Sequence, residues 1–175
     1  YERAIDFHQQ TLDIAQQIGD RPIESLALHN LGENFRLLDK LAQSAQYFES
    51  SALVQEALHS KDLAASNRLS LLDSQQPPYQ AWQVTLMAQR RPEEALTVAE
   101  RGRAQALAVS MSRALTSAED ETWIPPEPPT LEQIQTIAHQ QQATLVEYAV
   151  LRNGHILIWV VQPDGTIHAT ESNAE

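Results

Sequence analysis

The chain contains no cysteine. Disulfides, thiolate metal sites and a cysteine nucleophile are therefore excluded. Glycine is scarce, five residues in 175, and scattered, so no loop is available to cradle a phosphate. Basic residues are few: 12 Lys and Arg stand against 23 Asp and Glu, a net charge of −11 that would repel nucleic-acid phosphates. No apolar run approaches the ~20 residues that a membrane span requires. No signal-peptide pattern opens the chain, and Tyr1 falls inside a helical pattern, so the protein is expected to begin further upstream. These absences fit a cytoplasmic protein with no nucleic-acid or membrane partner, no cofactor and no metal.

What the chain does have is amphipathic helix, most clearly from Leu26 to Leu58. Leu28, Leu31, Phe35 and Leu38 recur at helical spacing, and after the short polar break Asp39-Lys40 a second stripe follows at Leu41, Ala45, Phe48, Ala52 and Leu58. Gly32 lies inside the first run. A helix-interior glycine costs roughly 1 kcal/mol against alanine, so it marks a neighbouring helix passing close. Small residues of the second run (Ala42, Ser44, Ala45, Ser51, Ala52) would permit that approach.

The pattern repeats. Aligning Ala4 with Ser44, an offset of 40 residues, sets Phe7 on Tyr47, His8 on Phe48, Leu12 on Ala52, Ile14 on Val54 and Ile18 on Leu58. A third copy places Ala95 in the same slot, offset 51 from Ser44, so the middle unit carries about eleven extra residues between Leu58 and Tyr79. A fixed period of this size signals stacked helix pairs, none of which can bury its apolar face alone.

In chain order, Tyr1 to Ile18 reads as the second helix of a pair, stopped by Gly19-Asp20. Pro22 suits the first turn of the next helix, which runs to about Leu38, and its partner spans about Lys40 to His59. A further helix is expected from Asp62 to about Leu72, then one opening near Pro78, then one from Arg91-Pro92-Glu93-Glu94 to about Leu115, with acids at the positive end of its dipole. Residues 117–130, with four prolines and four acids, read as an extended linker. Within it Trp123 is expected to dock on the helical domain rather than serve in a Pro-rich ligand. After a short helix from Leu131 to about Gln140 the period changes to two. ATLVEYAVL and HILIWVV are strands joined by the turn Arg152-Asn153-Gly154, and TIHAT follows the turn Pro163-Asp164-Gly165 as a short third strand. Ile156 to Val161 is apolar on both faces, as for a strand covered on both sides, yet little chain remains to cover it. The expected fold is thus mainly α: a superhelical helix-pair array over residues 1–116, the linker over 117–130, and a small incomplete α+β segment over 131–175.

Leu31-Gly32, Phe35, Ser44 and Phe48 resemble the tetratricopeptide-repeat family in its variant of about 40 residues per unit. Departures are Ser44 for the customary alanine, Asp39 and Arg90 where a loop glycine is usual, and Gln83 for the helix-packing glycine of the third unit. The last repeat, the linker, the short helix and TLVEYAVLRNGHILIWVVQPDG together resemble the joint at which such repeats precede a CHAT domain, a caspase-like peptidase fold known in bacterial proteins. Glu94, Ala95, Ala99, Glu100, Arg101, Arg103, Leu107, Leu145, Val146, Tyr148, Leu157, Trp159 and Gly165 carry that likeness. The family's peptidase histidine and cysteine lie further along, so no catalytic residue carries over. The resemblance implies a protein or peptide partner on the inner face of the array, at Leu26, His29, Asn30, Glu33 and Arg36, and in the third unit at Gln80, Val84 and Met87. Asn30, just before Leu-Gly, resembles repeats that grip peptide backbone: its amide supplies both a donor and an acceptor.

Other chemistry is weakly supported. Of the six histidines, His8, His29 and His59 fall on three different helices and none of these has a second histidine at i+4. His155 and His168 could face one another across the hairpin, the one nucleus for an enzyme of another class, but they read better as a surface pair than as a zinc site, with no carboxylate or third ligand expected beside them. Glu147 and Glu171 are imaginable as paired carboxylates. Arg101 and Arg103 suit a structural role, pairing Glu93, Glu94 or Glu100 or bracing the linker, better than an acidic peptide. The remaining alternative to a binding scaffold is self-association, even a homodimer, through an exposed strand edge.

Overall fold

The computed structural model describes residues 1–61, 78–115, 127–151 and 153–173. Six helices and three strands occur among them: α1 (Glu2–Ile18), α2 (Arg21–Leu37), α3 (Leu41–Lys61), α4 (Pro78–Ala88), α5 (Pro92–Leu115), α6 (Leu131–Gln141), β1 (Leu145–Val150), β2 (His155–Val161) and β3 (Ile167–Asn173). The fold is mainly α with a small open antiparallel sheet, as the periodicity requires. The helix expected over 62–72, and Trp123 with most of the Pro-rich segment, lie outside the described residues.

Local chemistry sets the helix ends. Gly19 takes the left-handed conformation (φ 72°) that closes α1, and Asp20 caps α2 by accepting the Ile23 N–H at 3.1 Å, with Pro22 in the first turn. Thr130 and Gln133 form a reciprocal capping box at α6: the Gln133 N–H donates to Thr130 Oγ1 at 3.2 Å and the Thr130 N–H to Gln133 Oε1 at 2.8 Å.

Successive helices pack as neighbours from α1 to α5. Gly32 is where α2 and α3 touch: a Cβ there would lie 2.7 Å from Phe48 Cε1. Ser25 and Ser51, both fully buried, bind across the same interface, Ser51 Oγ donating to the Ser25 carbonyl at 2.8 Å. Leu12, Ala27, Leu28, Leu31, Phe35 and Val54 form the first core cluster.

The second and third units turn alike. Asp39 (φ 58°) and Arg90 (φ 60°), 51 residues apart, both occupy the left-handed region at the slot where the family favours glycine. Their hydrogen bonds correspond as well. The Lys40 N–H donates to the Phe35 carbonyl (2.9 Å) as the Arg91 N–H does to Leu86 (3.0 Å), and Asp39 N–H to Arg36 (3.0 Å) as Arg90 N–H to Met87 (2.9 Å). Ser44 and Ala95, the small residues of the two crossings, are both fully buried.

The sheet has the order β1-β2-β3, with Glu147 opposite Trp159 and Trp159 opposite Ala169. Leu157, Trp159 and Val161 face inward and are fully buried. One continuous apolar cluster joins Ala45, Phe48, Tyr79, Trp82, Leu86, Leu96 and Ala99 of the helices to Ile134 and Ala138 of α6 and to these strand residues. The sheet and α6 therefore cover apolar helix surface that a further repeat would otherwise bury. The opposite face is open: Val146, Tyr148 and Val150 are 57–62% exposed. Ile156 to Val161 is thus covered on one side here, where its sequence leads one to expect two.

Candidate functional site

The solvent-facing stripe of α2 follows from helix geometry: Leu26, Asn30, Glu33 and Leu37 fall at i, i+4, i+7 and i+11, on one face. Leu26 is 42% and Leu37 52% exposed, so apolar surface brackets a polar middle. In that middle Arg36 donates to Glu33 Oε2 from Nε (3.1 Å) and Nη2 (2.7 Å), an ion pair open to solvent on both sides. The backbone carbonyl of half-buried Asn30 accepts from Asn34 Nδ2 at 2.7 Å. Its side-chain amide bonds to no described residue, leaving a donor and an acceptor for a ligand. Leu37 was not among the residues read from the family pattern. Its only sequence signal is the same spacing, one turn beyond Glu33.

His29 lies elsewhere. It is 8% exposed, with its ring 5.3 Å from that of Phe48, and its buried Nδ1 has no hydrogen-bond partner among the described residues. Burial holds its pKa below the ordinary imidazole value against an opposing pull from Glu33, so the neutral ring is favoured. It belongs to the α2–α3 interface.

The third unit's share of the inner wall is engaged with the chain itself. Gln80 Nε2 donates to the Val150 carbonyl at 3.3 Å, and Val84 and Met87 pack half-buried against the shared core. The eight residues thus divide into an open set on α2 (Leu26, Asn30, Glu33, Arg36), buried His29, and a set on α4 next to the sheet.

Arg101 and Arg103 are structural, but not with the partners expected for both. Arg101 grips Glu56 of α3 with two 2.6 Å bonds, and the Tyr79 hydroxyl joins the same carboxylate at 2.7 Å. Burial, then the bond to Glu56, pushes the Tyr79 pKa up. Glu56 stands 45 residues before Arg101, beyond reach of a local reading. Arg103 does pair with Glu100, and it also reaches β1, donating to Glu147 Oε2 at 2.6 Å and to the Tyr148 carbonyl at 2.8 Å. Burial raises the Glu100 pKa, Arg103 lowers it and Glu147 raises it further. Trp159 Nε1 donates to the Pro92 carbonyl at 2.9 Å, a third polar tie between the helices and the sheet.

The alternative centres come apart. His155 is opposite Asn173 and His168 opposite Val160, so the two histidines lie on different faces and do not meet. A carboxylate does stand by His155, contrary to the sequence reading: Glu171 Oε1 is 2.5 Å from its Nδ1. Glu147 is bound to Arg103 and Glu171 to His155, on strands separated by β2, so these carboxylates are no pair. Among the described residues no group of three or more His, Asp or Glu could hold a metal, and no helix is long and apolar enough to cross a membrane.

Comparison with known proteins agrees with this geometry. Residues 1–57 match the tetratricopeptide-repeat family. The chain is 33% identical over 151 residues, 86% of its length, to tetratricopeptide repeat protein 28 of Mus musculus, and 33% identical over 150 residues, 85% of its length, to the Homo sapiens protein of that name. It spans only 6% of the length of either relative. No solved structure matches it.

Proposed function

We propose that this chain, which matches the tetratricopeptide-repeat family over residues 1–57, is a non-catalytic scaffold, acting in the cytoplasm, that binds an extended segment of a partner protein along the exposed stripe of α2. The unspent amide of Asn30 carries the reading. An extended backbone offers alternating N–H and C=O groups, which one amide satisfies together. Leu26 and Leu37 supply apolar contact on either side, and the Glu33–Arg36 pair a polar rim.

The scaffold passes this binding on to a CHAT-type, caspase-like peptidase domain whose opening strands are β1 to β3. That reading is supported by the sequence likeness over Pro92 to Gly165 and by the way the strands are held. Three polar ties and a continuous apolar cluster join the sheet to α4 and α5, so a shift of the last helix pair moves β1 with it.

The test begins with a random extended-peptide library panned against the chain. Selected peptides, titrated by calorimetry, should lose about 2 kcal/mol of affinity on Asn30→Ala combined with Arg36→Ala, the loss of a bidentate amide and its rim. The melting temperature should not change. Equal affinity for the double variant would refute the assignment to α2.

A further inference from the structure

The joint between α5 and β1 holds more negative charge than it balances. Glu147 is directly opposite buried Trp159, so it stands on the inward face of the sheet, between Leu145 and Ala149, which pack against the shared apolar core. Alternation would put an apolar side chain there. On α5, Glu100 follows Ala99 of the same core, and its side chain is 15% exposed against 35% for that of Glu147. One guanidinium serves both. Arg103 Nη1 binds Glu100 and, at 2.6 Å, Glu147, while Nη2 donates to the Tyr148 carbonyl at 2.8 Å. Nη1 has an N–H for each carboxylate, so the donors suffice. The charge does not: two negative groups share one positive group at an interface partly out of water. Neighbouring charges leave the excess as it is. Arg101 is turned to Glu56 of α3, which also accepts from Tyr79 of α4. His155 of β2 and Glu171 of β3 share the inward face and are bound to each other, whereas His168 of β3 is on the outward face. On α6, Glu132 is exposed and His139 Nδ1 lies 3.1 Å from the Pro163 carbonyl.

From this imbalance we propose that Glu100, Arg103 and Glu147 form a proton-sensitive latch: when Glu100 takes up a proton, Arg103 is left to Glu147 and Tyr148, and β1 is held more firmly to α5. Glu100 is the deeper carboxylate, so charge costs it more. Burial raises its pKa, Arg103 opposes the rise and Glu147 adds to it. With its folded-state pKa above the unfolded value, the folded chain binds the extra proton. The hold on β1 is therefore gained as pH falls through the folded pKa and lost as pH rises past it. Protonation also ends the repulsion between a carboxylate on the helix and one on the strand. A well-packed apolar pair is often the more stabilising choice at such a site, so two acids around one arginine suit a joint that responds better than one that only holds. Every contact invoked lies within the chain, and none involves the α2 stripe.

Nuclear magnetic resonance of the isotope-labelled chain between about pH 8 and pH 4 tests this through two readouts, the carboxyl carbon shift of Glu100 and amide exchange in β1. The Leu151 N–H donates to the His155 carbonyl at 2.8 Å, so the odd residues of β1 bond to β2 and the amides of Glu147 and Ala149 report the strand. In the unaltered chain Glu100 should titrate above an ordinary glutamate. Over the same interval the protection of these two amides, each rate taken against that of an unstructured chain, should rise about threefold. Glu100→Gln keeps the shape without the charge; it should show the higher protection already at pH 8 and lack the rise. The two chains share every other titrating group, so their difference isolates the latch. Glu147→Gln should move the Glu100 titration to lower pH, and His155→Gln should leave the rise in place. Glu100 titrating as an ordinary glutamate would overturn the proposal, and that measurement stands even if a variant fails to fold. Parallel protection profiles for the unaltered chain and Glu100→Gln, or a Glu100 titration unmoved by Glu147→Gln, would overturn it as well.

Discussion

Gly32→Ala is the substitution on which the packing account makes its sharpest statement, because two known effects oppose each other there. In an open helix, alanine for glycine would stabilise by about 1 kcal/mol. Here the new methyl group would stand 2.7, 2.8 and 3.0 Å from Cε1, Cδ1 and Cζ of Phe48. Phe48 is fully buried and its ring lies against His29, so it has nowhere to turn. Forcing extra volume into such a contact costs about 1 to 3 kcal/mol. The balance is a net loss of about 1 kcal/mol, which for a chain of this size lowers the melting temperature by about 2 to 4 °C. Differential scanning calorimetry reads that directly. The companion variant Phe48→Leu removes the obstructing ring edge, and with Gly32→Ala in the same chain the methyl group gains room. The double variant should be more stable than the sum of the single effects by at least about 1 kcal/mol, a coupling that only direct contact produces. If Gly32→Ala instead raises the melting temperature, or if the two changes add independently, α2 and α3 do not meet where the account has them meet.

Three further outcomes follow from buried polar groups. Ser44 Oγ is fully buried without a partner among the described residues, so Ser44→Ala should stabilise the fold by about 1 kcal/mol in urea unfolding. Trp159→Phe deletes the bond to the Pro92 carbonyl and leaves a void under the sheet; it should cost about 2 kcal/mol and speed amide exchange in β1 and β2 relative to α1. His29 has a folded-state pKa below its unfolded value, so the unfolded chain binds more protons and stability falls as pH drops below about 6.5, levelling off once the folded pKa is passed. His29→Phe should flatten that part of a stability–pH profile measured between pH 7 and pH 4.

The parts of the fold that were legible in the sequence are those set by neighbours in the chain. The helix stop at Gly19-Asp20, Pro22 in the first turn of α2, the break at Asp39-Lys40 and the turn at Gly154 between two strands are all local, and each stands where the sequence places it. The repeat was legible because the 51-residue offset recurs in chemistry as well as in hydrophobicity: Asp39 and Arg90 both adopt a conformation that their side chains disfavour. What escaped depends on residues distant in the chain. Arg101 finds Glu56 and not its near acids, because the α3–α5 contact is fixed by the array as a whole. His29 counts as a groove position by family spacing, yet the angle at which α2 meets α3 turns it onto Phe48. The ladder register separated His155 from His168, since which residues face each other across β2 and β3 is fixed by the turn at Pro163-Asp164-Gly165. At the candidate site, Asn30, Glu33 and Arg36 were readable from the pattern. Engagement of Gln80 by Val150 was not, because nothing local announces that the sheet comes to rest on α4.

The central claim, that the chain grips an extended peptide along α2, is tested most directly by amide and side-chain chemical-shift mapping of the isotope-labelled chain with a library-selected peptide. The account predicts that the largest shifts fall on Leu26, Asn30, Glu33, Arg36 and Leu37, with the Asn30 side-chain NH2 among them. Shifts that leave α2 untouched and gather on the open face of the sheet, at Val146, Tyr148 and Val150, would contradict it.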